Sequence, residues 1–124
     1  MEKKVLLIVD DEKAYARSLA FALKKLFDVI VSSSYEESLQ TLESRVINAS
    51  LIDVRLDEND DNNRDGLKIL EWIKQKKPAI TTFIMTSYKD MGYQEDATRL
   101  GASYFFEKPI DILEMRRILQ EKII

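Results

Sequence analysis

The sequence predicts an α/β fold of five strand–helix units, with a parallel sheet covered by helices on both faces. Three observations support this prediction. Short apolar runs alternate along the 124 residues with segments in which apolar residues recur at helical spacing. The first run, VLLIV at Val5–Val9, is apolar at every position, as in a strand buried on both faces. Two capping boxes mark helix starts after strand-like runs. Right-handed crossovers would then make the strands parallel.

The first half of the chain predicts three strands and two helices. A helix is expected over 13–27 because Ala14, Leu19, Ala22, Leu23 and Leu26 recur at helical spacing. The box Ser34-Tyr35-Glu36-Glu37 begins a second helix. The order is a strand at Val5–Val9, the helix at 13–27, a strand at Val29–Val31, a helix through Leu39, Leu42 and Val46, and a strand at Ala49–Val54.

The second half predicts three helices and two strands. Pro78 ends one helix and Gly101 is a suitable residue to follow another. Asp111 and Glu114 form the second capping box. The order is a helix at Gly66–Lys76 with Leu67, Leu70 and Ile73 inward, a strand at Ile80–Met85, a helix at about 90–100, a strand at Tyr104–Phe106 and a helix at Ile112–Glu121.

Residues 1–124 are expected to form a single domain, because this is a common size for one hydrophobic core. Composition then excludes several classes of function. The chain has no Cys and no His, which excludes disulfides, thiol nucleophiles, His-dependent triads and His-ligated metals. A metal would have to be a hard ion held by oxygens, Mg²⁺ or Mn²⁺. The net charge of −3 and the lack of a basic stripe argue against nucleic-acid binding. The start of the chain resembles neither a signal peptide nor a membrane span, so we expect a cytoplasmic protein without membrane contact.

Polar side chains follow the strand-like runs at the points where the runs end. They are Asp10 and Asp11, Asp53, Thr86 and Lys108. The carboxyl ends of parallel strands form the ligand-binding edge of such a sheet. Three carboxylates, a hydroxyl and an ammonium gathered there would hold a divalent cation and a phosphoryl group together.

Each position also has a simpler interpretation. Asp10 and Asp11 could only cap a helix, and Asp53 could only cap a turn. A carboxylate can instead attack a phosphoryl group when a metal neutralises the incoming charge, so Asp53 is the candidate nucleophile. Thr86 alone would be an ordinary strand residue, although its hydroxyl and the adjacent Ser87 could donate to phosphoryl oxygens. Lys108 is an unusual charge beside a buried strand, and Pro109 after it is a candidate for a cis peptide bond.

These motifs in order resemble the receiver domain of two-component response regulators, of the chemotaxis-regulator type. The resemblance rests on VLLIVDDE, LIDVRL, DGLKIL, FIMTSY and GASYFFEKP. It implies a flavodoxin-like three-layer sandwich with strand order 2-1-3-4-5. It also implies Mg²⁺ bound by Asp11, Asp53 and the backbone carbonyl of Arg55, with Asp10 acting largely through water. Asp53 would accept a phosphoryl group from a phosphohistidine on a sensor histidine kinase or phosphotransfer protein.

The same resemblance implies a signalling switch rather than a conventional enzyme. Thr86 and Phe105 would form the switch pair, with Phe105 following the hydroxyl inward. The face formed by residues 90–122 would then change shape for an output domain or downstream protein, with a homodimer as a further possibility. Phe105 would look the same in a passive core.

The chain departs from the family in one loop. Gly66 comes thirteen positions after Asp53, a larger spacing than is usual in receivers. Asp57 stands where Pro is typical. Residues 57–68 fail as an EF-hand calcium loop, because position 6 is Asn62 rather than Gly and position 12 is Lys68 rather than Glu. The segment 57–65 is expected to be a solvated acidic loop, with a partner-specific contact as the alternative.

Three other functions would use a similar fold or a similar site. A haloacid-dehalogenase-type phosphatase needs a second Asp two residues after the nucleophile, where this chain has Arg55. A flavodoxin needs a phosphate loop after the first strand, where Asp10 and Asp11 would repel the phosphate. A pseudo-receiver would keep the fold for protein contacts without being phosphorylated, and the complete set of five residues argues against it.

Overall fold

The computed structural model describes residues 2–88 and 91–123. Their five strands form one parallel sheet in the order β2-β1-β3-β4-β5, which confirms the predicted topology. The elements in chain order are β1 Val5–Val9, α1 Lys13–Leu23, β2 Asp28–Ser32, α2 Tyr35–Ser44, β3 Ala49–Asp53, α3 Asp65–Lys76, β4 Thr81–Thr86, α4 Tyr93–Arg99, β5 Tyr104–Glu107 and α5 Ile112–Lys122.

The sheet lies between two apolar layers. On one face, side chains of α1 and α5 pack with Leu6, Ile8, Leu51 and Phe106 of the strands. On the other face, α2, α3 and α4 cover the alternate strand residues. The strands are therefore buried on both faces, which explains why Val5–Val9 is apolar throughout.

The predicted N-cap residues Ser34 and Asp111 both cap their helices. The Ser34 hydroxyl accepts the N–H of Glu37 at 3.2 Å, and the Asp111 carboxylate accepts the N–H of Glu114 at 3.0 Å. In the first box the Glu37 carboxylate accepts the N–H of Ser33, one residue before the cap. The Lys108–Pro109 peptide bond is cis, and Gly101 has a φ of 99°, as a helix-ending glycine can.

Besides one-residue shifts at several element ends, four details differ from the sequence predictions. α1 ends at Leu23, because the N–H groups of Leu26 and Phe27 both turn back to its carbonyl. Ala14 is exposed, while Ala16 faces the core. Val46 lies beyond the end of α2 and is 81% exposed, so it is not part of that helix's buried stripe. α4 begins at Tyr93, and position 90, where the predicted helix started, lies outside the described residues.

Strand alternation decides which side chains meet at the carboxyl edge. Ile8, Leu51 and Phe106 all face α1 and α5. Two residues further along each strand come Asp10, Asp53 and Lys108, so these three continue towards the same face. Ile84 and Phe105 pack on the opposite face, which places Thr86 on the side of Phe105.

Within the described residues, none of the helices combines the length and apolar character that crossing a membrane requires.

Candidate functional site

Three carboxylates meet at the carboxyl edge of the sheet, and we call them the acidic pocket: Asp10, Asp11 and Asp53. One carboxylate oxygen from each lies within 4.8 Å of the other two. Asp10 is fully buried, Asp53 is 3% exposed and Asp11 is partly exposed. The sequence prediction that these residues come together is therefore confirmed by the geometry.

Lys108 reaches this pocket from the end of β5. Its Nζ lies 2.8 Å from Oδ2 of Asp10 and 3.0 Å from Oδ2 of Asp53, and its side chain is only 6% exposed. The ammonium also lies 4.6 Å from the centre of the Tyr15 ring. The Tyr15 hydroxyl accepts the N–H of Ile110 at 3.1 Å. Tyr15 thus helps to fix the turn that aims Lys108 at the pocket.

The carboxyl groups of the pocket are electrostatically crowded. Burial, together with repulsion from Asp10, raises the pKa of Asp53 to about 8, although Lys108 acts in the opposite direction. Burial also raises the pKa of Asp11, with further contributions from Glu58 and Asp10. Burial disfavours charge on Lys108 as well, but the facing carboxylates outweigh it, so its pKa is raised. The single ammonium of Lys108 cannot neutralise three ionised carboxylates, so the pocket would favour a further cation.

The pocket has the donor set of a hard divalent cation. All its donors are carboxylate oxygens, which suit Mg²⁺ and Mn²⁺. Within residues 2–88 and 91–123, the buried Oδ1 of Asp11 has no hydrogen-bond partner. Such an atom usually has a bound partner. The residues present therefore fit a Mg²⁺ or Mn²⁺ ion.

Arg55, two residues after Asp53, has a buried side chain with three contacts. Its guanidinium carbon lies 3.7 Å from the centre of the Tyr88 ring, and its Nε donates to the Tyr93 hydroxyl at 3.2 Å. It also pairs with Asp61 at 3.5 Å. The side chain thus joins β3 to α4, while metal binding by the Arg55 carbonyl stays a prediction.

The predicted phosphate-binding and switch residues Thr86, Ser87 and Phe105 lie in or directly after β4 and in β5, on one side of β3 in the sheet. Thr86 is fully buried at the end of β4, and its hydroxyl accepts the N–H of Tyr88 at 3.0 Å. Its carbonyl accepts the N–H of Lys108 at 2.8 Å, which ties β4 to β5 at the site. Ser87 is exposed. Phe105 is partly buried against the layer that contains Tyr93 and Ala97 of α4.

Gly66 allows α3 to approach the end of β3, which carries Asp53. A Cβ at this position would lie 1.9 Å from the carbonyl oxygen of Asp53. The N–H of Gly66 donates to the Val54 carbonyl at 2.9 Å. The start of α3 therefore packs directly on the backbone beside Asp53, a contact that the DGLKIL motif alone does not reveal.

The segment 57–65, which we call the extended loop, is tied to the site. The Tyr88 hydroxyl donates to Oε2 of Glu58 at 2.7 Å, and Arg64 forms an ion pair with Asp96 of α4. The expectation of a solvated loop holds for Asp57, Asn59 and Asp60, which are exposed, but not for Glu58. The signal that sequence reasoning missed was an acid inside an insertion next to the site.

Comparisons with known proteins agree with this geometry. Residues 6–120 match the family model described as the response regulator receiver domain. A 119-residue stretch is 29% identical to the transcriptional regulatory protein ZraR of Escherichia coli O157:H7, covering 95% of this chain and 26% of that protein. The chain therefore spans about a quarter of that relative's length.

Two crystal structures have the same fold. A CheY-like receiver domain protein from Methanospirillum hungatei JF-1 superposes with a TM-score of 0.89 at 24% identity, covering 98% of this chain and 94% of that one. A response regulator from Burkholderia pseudomallei, with a phosphorylated aspartic acid, a calcium ion and citrate, gives a TM-score of 0.82 at 23% identity. That match covers 95% of this chain and 67% of the other.

Proposed function

The chain belongs to the response regulator receiver domain family, and we propose that it is a phosphoacceptor in which Asp53 receives a phosphoryl group in a Mg²⁺-dependent reaction. The observation that supports this most is the buried arrangement of Asp10, Asp53 and Lys108, with Nζ within 3.0 Å of both carboxylates. Receivers of this family take part in two-component signalling with histidine kinases and output domains. The Burkholderia relative, which contains a phosphorylated aspartic acid and a calcium ion, agrees with the proposal.

The reaction we propose is a direct transfer. A carboxylate oxygen of Asp53 attacks the phosphorus of a phosphohistidine on a kinase or phosphotransfer protein. The new P–O bond forms as the P–N bond breaks, and the imidazole leaves with its electron pair. The donor must be external, since this chain has no His. When bound, Mg²⁺ would neutralise the phosphoryl oxygens, with Asp11, Asp53 and the Arg55 carbonyl as ligands and Asp10 acting through water.

Lys108 would change partner during the reaction. It lies 3.0 Å from Asp53 before transfer, where its charge favours the ionised, nucleophilic carboxylate. After transfer, the same ammonium would pair with a phosphoryl oxygen through a charge-assisted hydrogen bond. Thr86 and Ser87 would donate to the remaining oxygens. For Thr86 this requires the hydroxyl to leave its contact with the Tyr88 N–H.

The output would come from the face that includes α4, β5 and α5, within residues 90–122. Thr86 and Phe105 lie on the same face of adjacent strands, and Phe105 packs against the layer containing α4. Motion of Thr86 would therefore change the packing below α4. We expect this face to bind an output domain, a downstream protein or a second copy, in the cytoplasm, with residues 1–124 acting as one receiver domain. The alternative of a pseudo-receiver has no support among the relatives.

Phosphorylation by a small-molecule donor tests the proposal. Wild type treated with acetyl phosphate or phosphoramidate and Mg²⁺ should gain the mass of one phosphoryl group, measured on the intact protein. Asp53→Asn, which keeps the shape of the side chain but is a poor nucleophile, should gain none, and neither should wild type in EDTA. Wild type that stays unmodified with Mg²⁺ would favour a pseudo-receiver.

A further inference from the structure

Glu58 of the extended loop lies within reach of the acidic pocket. One carboxylate oxygen each from Glu58, Glu12 and Asp53 lies within 4.8 Å of the other two. Glu12 also lies 3.6 Å from Lys108 and is about half exposed. Glu58 is partly buried. The extended loop therefore places a carboxylate beside Asp53.

The position of Glu58 is fixed by side chains outside its loop. Its Oε2 accepts the Tyr88 hydroxyl at 2.7 Å. The Tyr88 ring in turn lies on the Arg55 guanidinium, which is held by the Tyr93 hydroxyl at 3.2 Å. Tyr93 is 2% exposed. Arg55 after β3, Tyr93 of α4 and Tyr88 after β4 thus support the loop carboxylate, unlike a freely moving surface acid.

The negative charge of Glu58 adds to that of the acidic pocket, and this favours binding of a cation. The Tyr88 hydroxyl is neutral, so it holds the Glu58 carboxylate without cancelling its charge. Carboxylates brought this close repel one another unless a cation is shared among them. A divalent ion in the acidic pocket would relieve that repulsion, and Mg²⁺ in proteins keeps several waters that nearby carboxylates can accept from.

We propose that Glu58 is an additional carboxylate of the divalent-cation site, supplied by the extended loop and positioned by the Tyr88 hydroxyl, and that it raises the affinity of this receiver for Mg²⁺. The inference rests on the proposed function, because it assumes that the acidic pocket binds the ion. It gives the extended loop a role in the site, whereas the sequence alone predicted a solvated segment.

Calorimetric titration of the whole chain with MgCl₂ at fixed ionic strength tests this proposal without any phosphodonor. Glu58→Gln keeps the size and the hydrogen-bond acceptor, and it should weaken Mg²⁺ binding about tenfold, as the loss of an outer partner of a metal site does. Tyr88→Phe should weaken binding in the same direction by less. Asp60→Asn is the matched control, because it removes one charge from the same loop at an exposed residue and keeps the acceptor for the Asn62 N–H. The control should change affinity less than about twofold, because exposed charges are screened.

The outcomes separate the two proposals. If Glu58→Gln and Asp60→Asn bind Mg²⁺ equally well, Glu58 has no specific part in the site, and the inference is wrong while the proposed function stands. If wild type binds no Mg²⁺, the proposed function and the inference both fail. Thermal unfolding of each variant in EDTA confirms that the loss of affinity does not come from unfolding.

Discussion

At the scale of single residues, the proposed role of Asp53 requires its carboxyl to be buried and ionised at the same time. Burial would shield an acyl phosphate from water, but it raises the pKa of the Asp53 carboxyl to about 8. Lys108 supplies one positive charge to a pocket with three carboxylates. Ionisation of Asp53 near neutral pH therefore depends on a cation, which explains chemically why phosphoryl transfer in this receiver should need Mg²⁺.

This raised pKa predicts how stability changes with pH. The Asp53 pKa is about 8 in the folded chain and near 3.8 when unfolded, so the folded state binds more protons between these values. Stability is then lost as the pH rises towards 8. Lys108 does not contribute to this trend, because its raised pKa keeps it protonated throughout. Between pH 6 and 9 in EDTA, wild type should lose about 1–3 kcal/mol more unfolding free energy than Asp53→Asn.

Urea unfolding at the two pH values measures this difference, and titrations common to both proteins cancel in the comparison. Saturating Mg²⁺ should shrink it, because a bound cation favours the ionised carboxylate in the folded state. If wild type and Asp53→Asn lose the same free energy between pH 6 and 9 in EDTA, burial does not hold the Asp53 carboxyl protonated.

Sequence analysis found the site residues whose side chains differ sharply in polarity from the residues next to them in the chain. Asp10, Asp53 and Lys108 are charges at the ends of apolar strands, and strand alternation alone brings them to one face. Glu58 and Tyr88 looked ordinary, because an acid in a polar loop and an aromatic after a strand have many uses. Their hydrogen bond joins residues thirty positions apart. Only the folded chain shows that contact.

At the scale of elements, the contact between α3 and β3 sets the position of Asp53. The helix begins so close to the strand that Gly66 has no room for a side chain beside the Asp53 carbonyl. The extended loop bridges the same two elements, with Asn63 accepting the N–H of Leu56 at 2.9 Å and that of Asp65 at 3.0 Å. Asn63 therefore ties the end of the extended loop to both the segment after β3 and the start of α3.

Replacement of two glycines tests this packing. Gly→Ala in a helix ordinarily stabilises by up to about 1 kcal/mol. Gly66→Ala should instead destabilise by about 2 kcal/mol or more, because the new Cβ meets backbone that cannot move freely. Among the described residues no atom lies within 4 Å of a Cβ at Gly92, but Gly92 has a φ of 75°, so Gly92→Ala should cost about 1 kcal/mol from strain alone. Urea unfolding that shows Gly66→Ala to be the more stable variant would contradict the packing argument.

Element boundaries were harder to predict than element types. The helical spacing over 13–27 was correct as far as Leu23, where the chain turns. Val46 matched the spacing of α2 but follows Arg45, whose φ of −129° and ψ of 155° are already extended. Local spacing does not reveal where the backbone leaves the helix, because that depends on the strand it must join next.

At the scale of the whole molecule, the sheet would separate the proposed phosphorylation site from the proposed output face. Asp10, Asp53 and Lys108 continue the strand rows that face α1 and α5, while Thr86 and Phe105 belong to rows that face α4. The hydrogen bond from the Lys108 N–H to the Thr86 carbonyl links the two sets at the carboxyl edge. The order of the strands followed from the family resemblance, and the structure confirms it. The identity of the output partner depends on exposed side chains that no periodic pattern specifies.

The most direct test of the account is the location of the phosphoryl group. Wild type is treated with acetyl phosphate and Mg²⁺, the acyl phosphate is reduced with borohydride to homoserine, and the peptides are sequenced by mass spectrometry. The account predicts reduction at Asp53 alone, and none when EDTA replaces Mg²⁺. Reduction at Asp10 or Asp11, or equal labelling of Asp53 in EDTA, would contradict the assignment of Asp53 as the Mg²⁺-dependent phosphoacceptor.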